Sequence, residues 1–161
     1  MVQLNPMTEQ EYEEFMVLSM KDQAEGQVQD GEWSAEKAQG NIEKLRSEFL
    51  PGEMTTPNHF FFTIVELASG SNVGGLWYLM VKEAGKRQFY VLDIQIYDGY
   101  RRNGYGSQAF QAMEEKGREM GITKINLHVF KQNHSARAMY EKLGYVGFAG
   151  SDTNMYKDLL V

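Results

Sequence analysis

Tyr100-Arg101-Arg102-Asn103-Gly104-Tyr105-Gly106-Ser107 separates a strand-like run, Phe89 to Tyr97, from an amphipathic helix predicted to begin near Ser107. Two basic residues and two alternating glycines that feed a helix N-terminus are suited to holding phosphate. Glycine lets backbone N–H groups turn toward an anion at close range. The helix start adds unpaired donors and partial positive charge. The kinase-type loop Gly-x-x-x-x-Gly-Lys-Ser/Thr is absent from the chain. The dinucleotide fingerprint Gly-x-Gly-x-x-Gly/Ala is formally met by Gly104, Gly106 and Ala109. However, Gly104 stands well beyond Tyr97, and the next strand-like run, Lys124 to Phe130, continues into Lys131-Gln132 without the acidic residue that would hold a ribose. The pattern that remains is Arg-x-x-Gly-x-Gly, carried by Arg101, Gly104 and Gly106.

A second block follows that next strand: Asn133-His134-Ser135-Ala136-Arg137-Ala138-Met139-Tyr140-Glu141-Lys142-Leu143-Gly144-Tyr145. One helix and one strand fit between the two blocks. Together they resemble the GNAT superfamily of acetyl-coenzyme A-dependent N-acetyltransferases. The first block is similar to the family's pyrophosphate loop, the second to its Asn-x-x-Ala-x-x-x-Tyr-x-x-x-Gly-aromatic segment. The motif-bearing resemblance covers roughly Phe89 to Leu159. A looser resemblance, to bacterial members, lies at Leu50, Pro51, Thr56, Pro57 and His59.

The 161 residues predict one domain with a single substantial core; the resemblance implies an acceptor side largely in 1–85 and a coenzyme-binding core in 86–159. Hydrophobic residues at 42% and charged residues at 24% argue against disorder. A net charge of −6 disfavours a nucleic-acid partner and mildly favours cationic substrates, although it equally serves solubility. The absence of cysteine excludes disulfides and thiolate metal sites and is compatible with a cytoplasmic protein. With 3 histidines and no metal-ligand spacing, no metal is expected. The apolar runs are strand-sized, so no membrane span or signal peptide is predicted. A homodimer is left open.

Along the chain, Val2 to Leu4 reads as a short strand. Thr8-Glu9-Gln10-Glu11 reads as a capping box that starts a helix with an apolar stripe at Tyr12, Phe15, Met16 and Met20, fading near Gly26 to Gly31. Ser34 caps a second helix, lined by Ala38, Ile42, Leu45 and Phe49 and stopped at Pro51-Gly52. Phe60 to Leu67, Val73 to Val81 and Arg87 to Tyr97 form an antiparallel meander joined by short turns. Phe110, Met113, Gly117 and Met120 trace a crossover helix. Lys124 to Phe130 is then expected to run parallel to the Phe89–Tyr97 strand. A helix from about Asn133 to Leu143 ends at Gly144, and Tyr145 to Phe148 and Thr153 to Leu159 are closing strands. The expected fold class is mixed α/β: a mostly antiparallel sheet with one central parallel pair and helices on both faces.

The resemblance implies direct transfer of an acetyl group from acetyl-CoA to a primary amine, on a small molecule or on a peptide or protein. It places the diphosphate against backbone N–H groups of Arg102, Asn103, Gly104, Tyr105, Gly106 and Ser107, with charge from Arg101 and Arg102. Unpaired backbone at Ile94, Gln95 and Ile96 takes the pantetheine arm and thioester, with ordinary core side chains. Tyr140 protonates or hydrogen-bonds the departing thiolate, or else is core packing. Asn133 contacts the coenzyme arm and also reads as an N-cap. Ser135 and Arg137 lie near the phosphates or in solvent. Asp93 is the candidate base or cation-recognising carboxylate, with His128 as the other candidate. For the acceptor pocket, Glu25, Trp33, His59, Trp77 and Tyr78 qualify by chemical type. A non-catalytic acyl-CoA-binding or sensing module is the alternative.

Overall fold

A computed structural model describes residues 1–159. The elements are β1 (Val2–Pro6), α1 (Glu9–Gln29), α2 (Ala35–Phe49), a 3-10 turn (Glu53–Thr55), β2 (His59–Glu66), β3 (Asn72–Glu83), β4 (Lys86–Ile96), α3 (Tyr105–Glu119), β5 (Lys124–His128), α4 (His134–Lys142), β6 (Val146–Gly147) and β7 (Asn154–Asp158). The expected mixed fold is present: a 7-stranded sheet in the order β1-β2-β3-β4-β5-β7-β6, antiparallel except for β4 beside β5. That parallel pair follows from the α3 crossover, because a helical return lays the next strand alongside in the same direction. β7 inserts between β5 and β6, so the closing strands pair out of chain order.

Strand alternation sends two apolar sets to opposite faces. Tyr78, Phe89, Val91, Ile125 and Leu127 meet α3 through Ala109, Phe110 and Met113, and meet α4 through Tyr140. On the other face Phe61 and Trp77 pack beneath α1 through Tyr12, Phe15 and Met16. The helices therefore form two layers, α1 and α2 on one side and α3 and α4 on the other.

Both N-terminal caps form as read. The Thr8 hydroxyl accepts from Glu11 N (3.1 Å) and Ser34 Oγ from Lys37 N (3.4 Å). Several boundaries move. α1 continues through Gly26 to Gln29 rather than fading there. α3 begins at Tyr105, two residues before the expected start, because Gly104 takes a left-handed conformation (φ 77°) and acts as the N-cap. β5 stops at His128, and the strand expected from Tyr145 to Phe148 shrinks to Val146–Gly147 at the sheet edge.

The C-terminal helices are fixed by one buried polar knot. Glu114 of α3, 3% exposed, accepts from Tyr145 Oη (2.9 Å) and from Lys157 Nζ (2.9 Å). Lys157 also donates to the Leu143 carbonyl at the end of α4 (2.7 Å). One carboxylate thus ties α3, the end of α4 and β7 together. Removing it strands a buried phenol and a cation with no counter-charge, a loss far larger than that of a surface ion pair. Glu114→Ala is expected to destabilise the fold by roughly 2–4 kcal/mol, and Tyr145→Phe by about 1 kcal/mol, in urea unfolding.

Candidate active site

The site starts from a fault in β4. Trp77 of β3 faces Asp93 and Tyr78 faces Val91, so Leu92 has no partner and β4 bulges there. The Leu92 carbonyl accepts from Gln23 Nε2 of α1 (2.9 Å). On its other edge, β4 pairs with β5 only from Gln88 to Val91. Beyond that register β4 continues to Ile96 while β5 ends at His128. The two strands part, and a cleft of about 300 Å³ opens between the helical layers. Met20, Gln23, Leu45 and Phe49 line it from the α1–α2 side. Asn133, Ala136, Met139 and Tyr140 line it from α4, and Leu92, Asp93 and Ile94 form its waist.

Asp93 sits on the α1 side of that waist. Gln95, 7% exposed, donates from one amide nitrogen to Asp93 (2.8 Å) and to Asp22 of α1 (2.9 Å). Burial pushes the Asp93 carboxyl up to about 7, and the nearby charge of Asp22 adds to the rise against the hydrogen bond from Gln95. A carboxyl in that range exchanges protons near neutrality. The Gln95 side chain is thus a polar bridge and not the ordinary core residue expected. Ile94 and Ile96 do pack against the α3–α4 core.

Tyr140 lies across the waist, 6% exposed, with its ring against Phe110 (5.3 Å). Burial, reinforced by the charge of Asp93, holds its hydroxyl well above the ordinary phenol range. It therefore stays protonated at any physiological pH. Asn133 is the N-cap of α4 that was read for it, with Oδ1 accepting from Ala136 N (3.3 Å), and it also lines the cleft.

The glycine loop lies at the far end of β4. α3 has no side-chain cap, and its first intrahelical bond runs from Gln108 N to the Gly104 carbonyl (3.1 Å). The N–H groups of Tyr105, Gly106 and Ser107 precede that bond and point out of the helix start. Gly106 packs against Met139 of α4, where a Cβ would come within 3.0 Å of the sulfur. Arg102 and Asn103 are exposed. The side chain of Asn103 pins the turn through the Tyr100 and Arg101 carbonyls (3.0 and 3.2 Å). Arg101 donates to the Ile96 carbonyl (3.0 Å) and pairs with Asp98 (3.4 Å), so part of its charge is answered locally. Tyr105 donates to Glu66 of β2. Ser135 is exposed, and Arg137 donates to the Asp152 carbonyl (2.8 Å), which turns it toward the β6–β7 connection.

The acceptor-side candidates separate. Trp77 lines the cleft and donates from Nε1 to His59 Nδ1 (3.0 Å). Tyr78 points to the opposite face and is core. Trp33 lines neither the cleft nor the neighbouring hollow, and its N–H donates to the Gln27 carbonyl (3.2 Å). Glu25 lines that hollow together with Asp22, Gln95 and Phe130. The Phe130 ring separates cleft from hollow and lies so close to α1 that a Cβ at Gly26 would come within 2.3 Å of it. Asp22, Gln23, Arg46 and Phe130 are site residues that the sequence reading missed. Of these, Gln23 left a faint signal, continuing the stripe of α1 after the buried Ser19 as a half-buried polar group; Asp22 is exposed and left none. Among the described residues no cluster of three or more His, Cys, Asp or Glu could hold a metal, and no helix is long and apolar enough to cross a membrane.

Comparison with known proteins bears on the family and the fold. Residues 25–145 match the family described as the acetyltransferase (GNAT) family. The chain is 34% identical over 158 residues to the uncharacterized N-acetyltransferase YycN of Bacillus subtilis (strain 168), covering 98% of this chain and 99% of that one. The crystal structure of YycN superposes with a TM-score of 0.86 at 31% identity, over 94% of this chain and 96% of the other. The PaiA N-acetyltransferase of Thermoplasma acidophilum, solved in complex with coenzyme A, shares the fold with a TM-score of 0.69 at 19% identity, over 98% and 99% of the two chains.

Proposed function

The chain belongs to the GNAT family of N-acetyltransferases, and from that membership we propose that it moves an acetyl group from acetyl-CoA directly to a primary amine, across the parting of β4 and β5. The observation that carries this reading is the coincidence of three features on one path. They are an uncapped helix start after a glycine turn, an opened strand pair, and a carboxyl pushed up to about 7 at the waist. The coenzyme A complex of the PaiA relative supports the donor.

The N–H groups at the start of α3 hold the diphosphate, and the exposed Arg102 adds charge. The fit is favourable because Gly104 leaves the backbone bare where an anion must approach, and no side chain of the protein occupies the cap. Ser135, exposed in the first turn of α4, is free to reach the phosphates. Arg101 acts chiefly by shaping that region, since it is engaged with the Ile96 carbonyl, whereas Arg137 is held toward the β6–β7 connection by the Asp152 carbonyl. Backbone at Ile94, Gln95 and Ile96, still paired with β3 but beyond the last residue of β4 that pairs with β5, takes the pantetheine arm together with Asn133. Residues 1–85 then serve mainly the acceptor and 86–159 the donor.

In the transfer, the amine nitrogen bonds to the acetyl carbon, the carbon–sulfur bond breaks, and the thiolate departs. Asp93 takes one proton from the bound ammonium to free the attacking amine, and the second proton, lost from nitrogen as the amide forms, ends on the departing sulfur as free thiol. Tyr140 donates a hydrogen bond to the sulfur. Complete proton transfer from Tyr140 is uphill, because a free thiol ionises near 8.5, well below this buried phenol. The hydroxyl therefore steadies the leaving group without giving up its proton. Much of the rate comes from holding the two reactants together.

A purified sample supplied with acetyl-CoA and a panel of primary amines should release free thiol only when an amine is present. Binding of acetyl-CoA without thiol release from any amine would favour the non-catalytic module. Gly104→Glu inserts a side chain and a negative charge at the diphosphate, so calorimetric affinity for acetyl-CoA should fall at least tenfold. Tyr140→Phe should lower turnover about tenfold or more while leaving coenzyme affinity within about twofold, as expected for a group that acts on the leaving sulfur. Asp93 must be ionised to accept a proton, so the rate should climb as pH rises through about 7. Asp93→Asn should remove that limb from the pH–rate profile.

A further inference from the structure

The cleft on the α1–α2 side has a chemical character that the transfer reaction alone does not require. Its walls are Met20, Ile42, Leu45, Phe49 and Trp77. Leu45 and Phe49 are 47% and 38% exposed, although both lie on the inner side of α2. Apolar side chains left open to water and converging on one hollow mark a place for apolar ligand surface.

Charge in this arm points the same way. Among the described residues lining the cleft, Asp93 is the one carboxylate. The cation there, Arg46, is already answered. Its Nε and Nη2 donate to Glu53 Oε1 (3.0 and 2.8 Å), which also accepts from Tyr12 Oη (2.6 Å). Glu13 lies 3.8 Å from the same guanidinium. A ligand carboxylate would therefore have to displace Glu53. A second ligand ammonium would lose its water and approach Arg46. The Trp77 ring offers weak cation–π compensation, but Phe61 and His59 already pack on it at 5.2 and 6.0 Å. Desolvation and like-charge repulsion outweigh that attraction.

We propose that the acceptor is a primary amine on an uncharged apolar or aromatic body, seated between α1 and α2 against Phe49 and Trp77 with its nitrogen at Asp93. This specifies the acceptor of the acetyl-transfer reading and rests on it. Asp93 supplies the single counter-charge that the single ammonium needs, and each methylene buried along the walls is worth roughly fourfold in affinity. The neighbouring hollow with Asp22 and Glu25 would suit a second cation, but one Asp22 oxygen is already bound to Gln95.

Hexylamine and 1,6-diaminohexane, matched in length and differing in one charge, separate the two arms. With saturating acetyl-CoA and thiol release as readout, hexylamine and 2-phenylethylamine should each exceed 1,6-diaminohexane at least tenfold in kcat/KM. Phe49→Ala should raise KM for hexylamine several-fold with kcat within twofold. Leu45→Glu should shift preference toward the diamine, because it places a carboxylate in the wall. Both residues are partly exposed, so these variants keep the core intact. A diamine that equals or beats the monoamine, with the advantage abolished by Glu25→Gln, would overturn this assignment while leaving acetyl transfer standing. Failure of every amine to release thiol would overturn both.

Discussion

Everything at the centre of this molecule depends on β4 ceasing to pair with β5 after Val91. A parallel pair in mid-sheet would normally continue its ladder, since unpaired backbone in a buried strand is costly. Here the strand is held in place from the other side. The bulge at Leu92 hands its carbonyl to Gln23 of α1, and β3 resumes pairing at Asp93. β5 in turn keeps β7 as a partner through His128. Each strand is anchored by its outer edge, so the inner edges can part and leave their own backbone groups open. The backbone exposed by that parting is what the proposed donor arm uses.

The two helical layers make the opening useful. α4 brings Tyr140 to one side of the waist, and its position is set by the Glu114 knot at its far end. α1 brings Asp22 and Gln23 to the other. Asp93 is raised because it lies under α1, where water is scarce and another carboxylate is close. The protonation behaviour of the site is therefore a consequence of how α1 docks on the sheet, and it would be different if the same aspartate stood on an open strand.

Much of this was legible in the chain. The glycine turn, the crossover to a parallel strand, both N-terminal caps and the Asn133–Tyr145 segment carry their signals locally, in residue type and spacing. The errors are equally physical. The start of α3 was placed late because a left-handed Gly104 can serve as a cap, which moves Tyr105 and Gly106 into the helix. The last hairpin was overestimated because Tyr145 leaves the strand to reach Glu114. Gln95 looked like core because alternation predicts burial correctly but not polarity: it is buried, against two carboxylates. Asp22 and Phe130 could not be read at all, since their roles exist only once α1 lies across β4 and the end of β5. The acceptor-side guesses by residue type divided accordingly, with Trp77 facing the cleft and Tyr78 the core.

An opening that passes between both helical layers also sets the traffic of a two-substrate enzyme. If the donor comes from the start of α3 and the acceptor from between α1 and α2, as proposed, neither need wait for the other. For the proposed direct transfer, the expected kinetic signature is intersecting rather than parallel double-reciprocal lines. The sheet in such an arrangement serves as a partition with a window, across which the two molecules meet once.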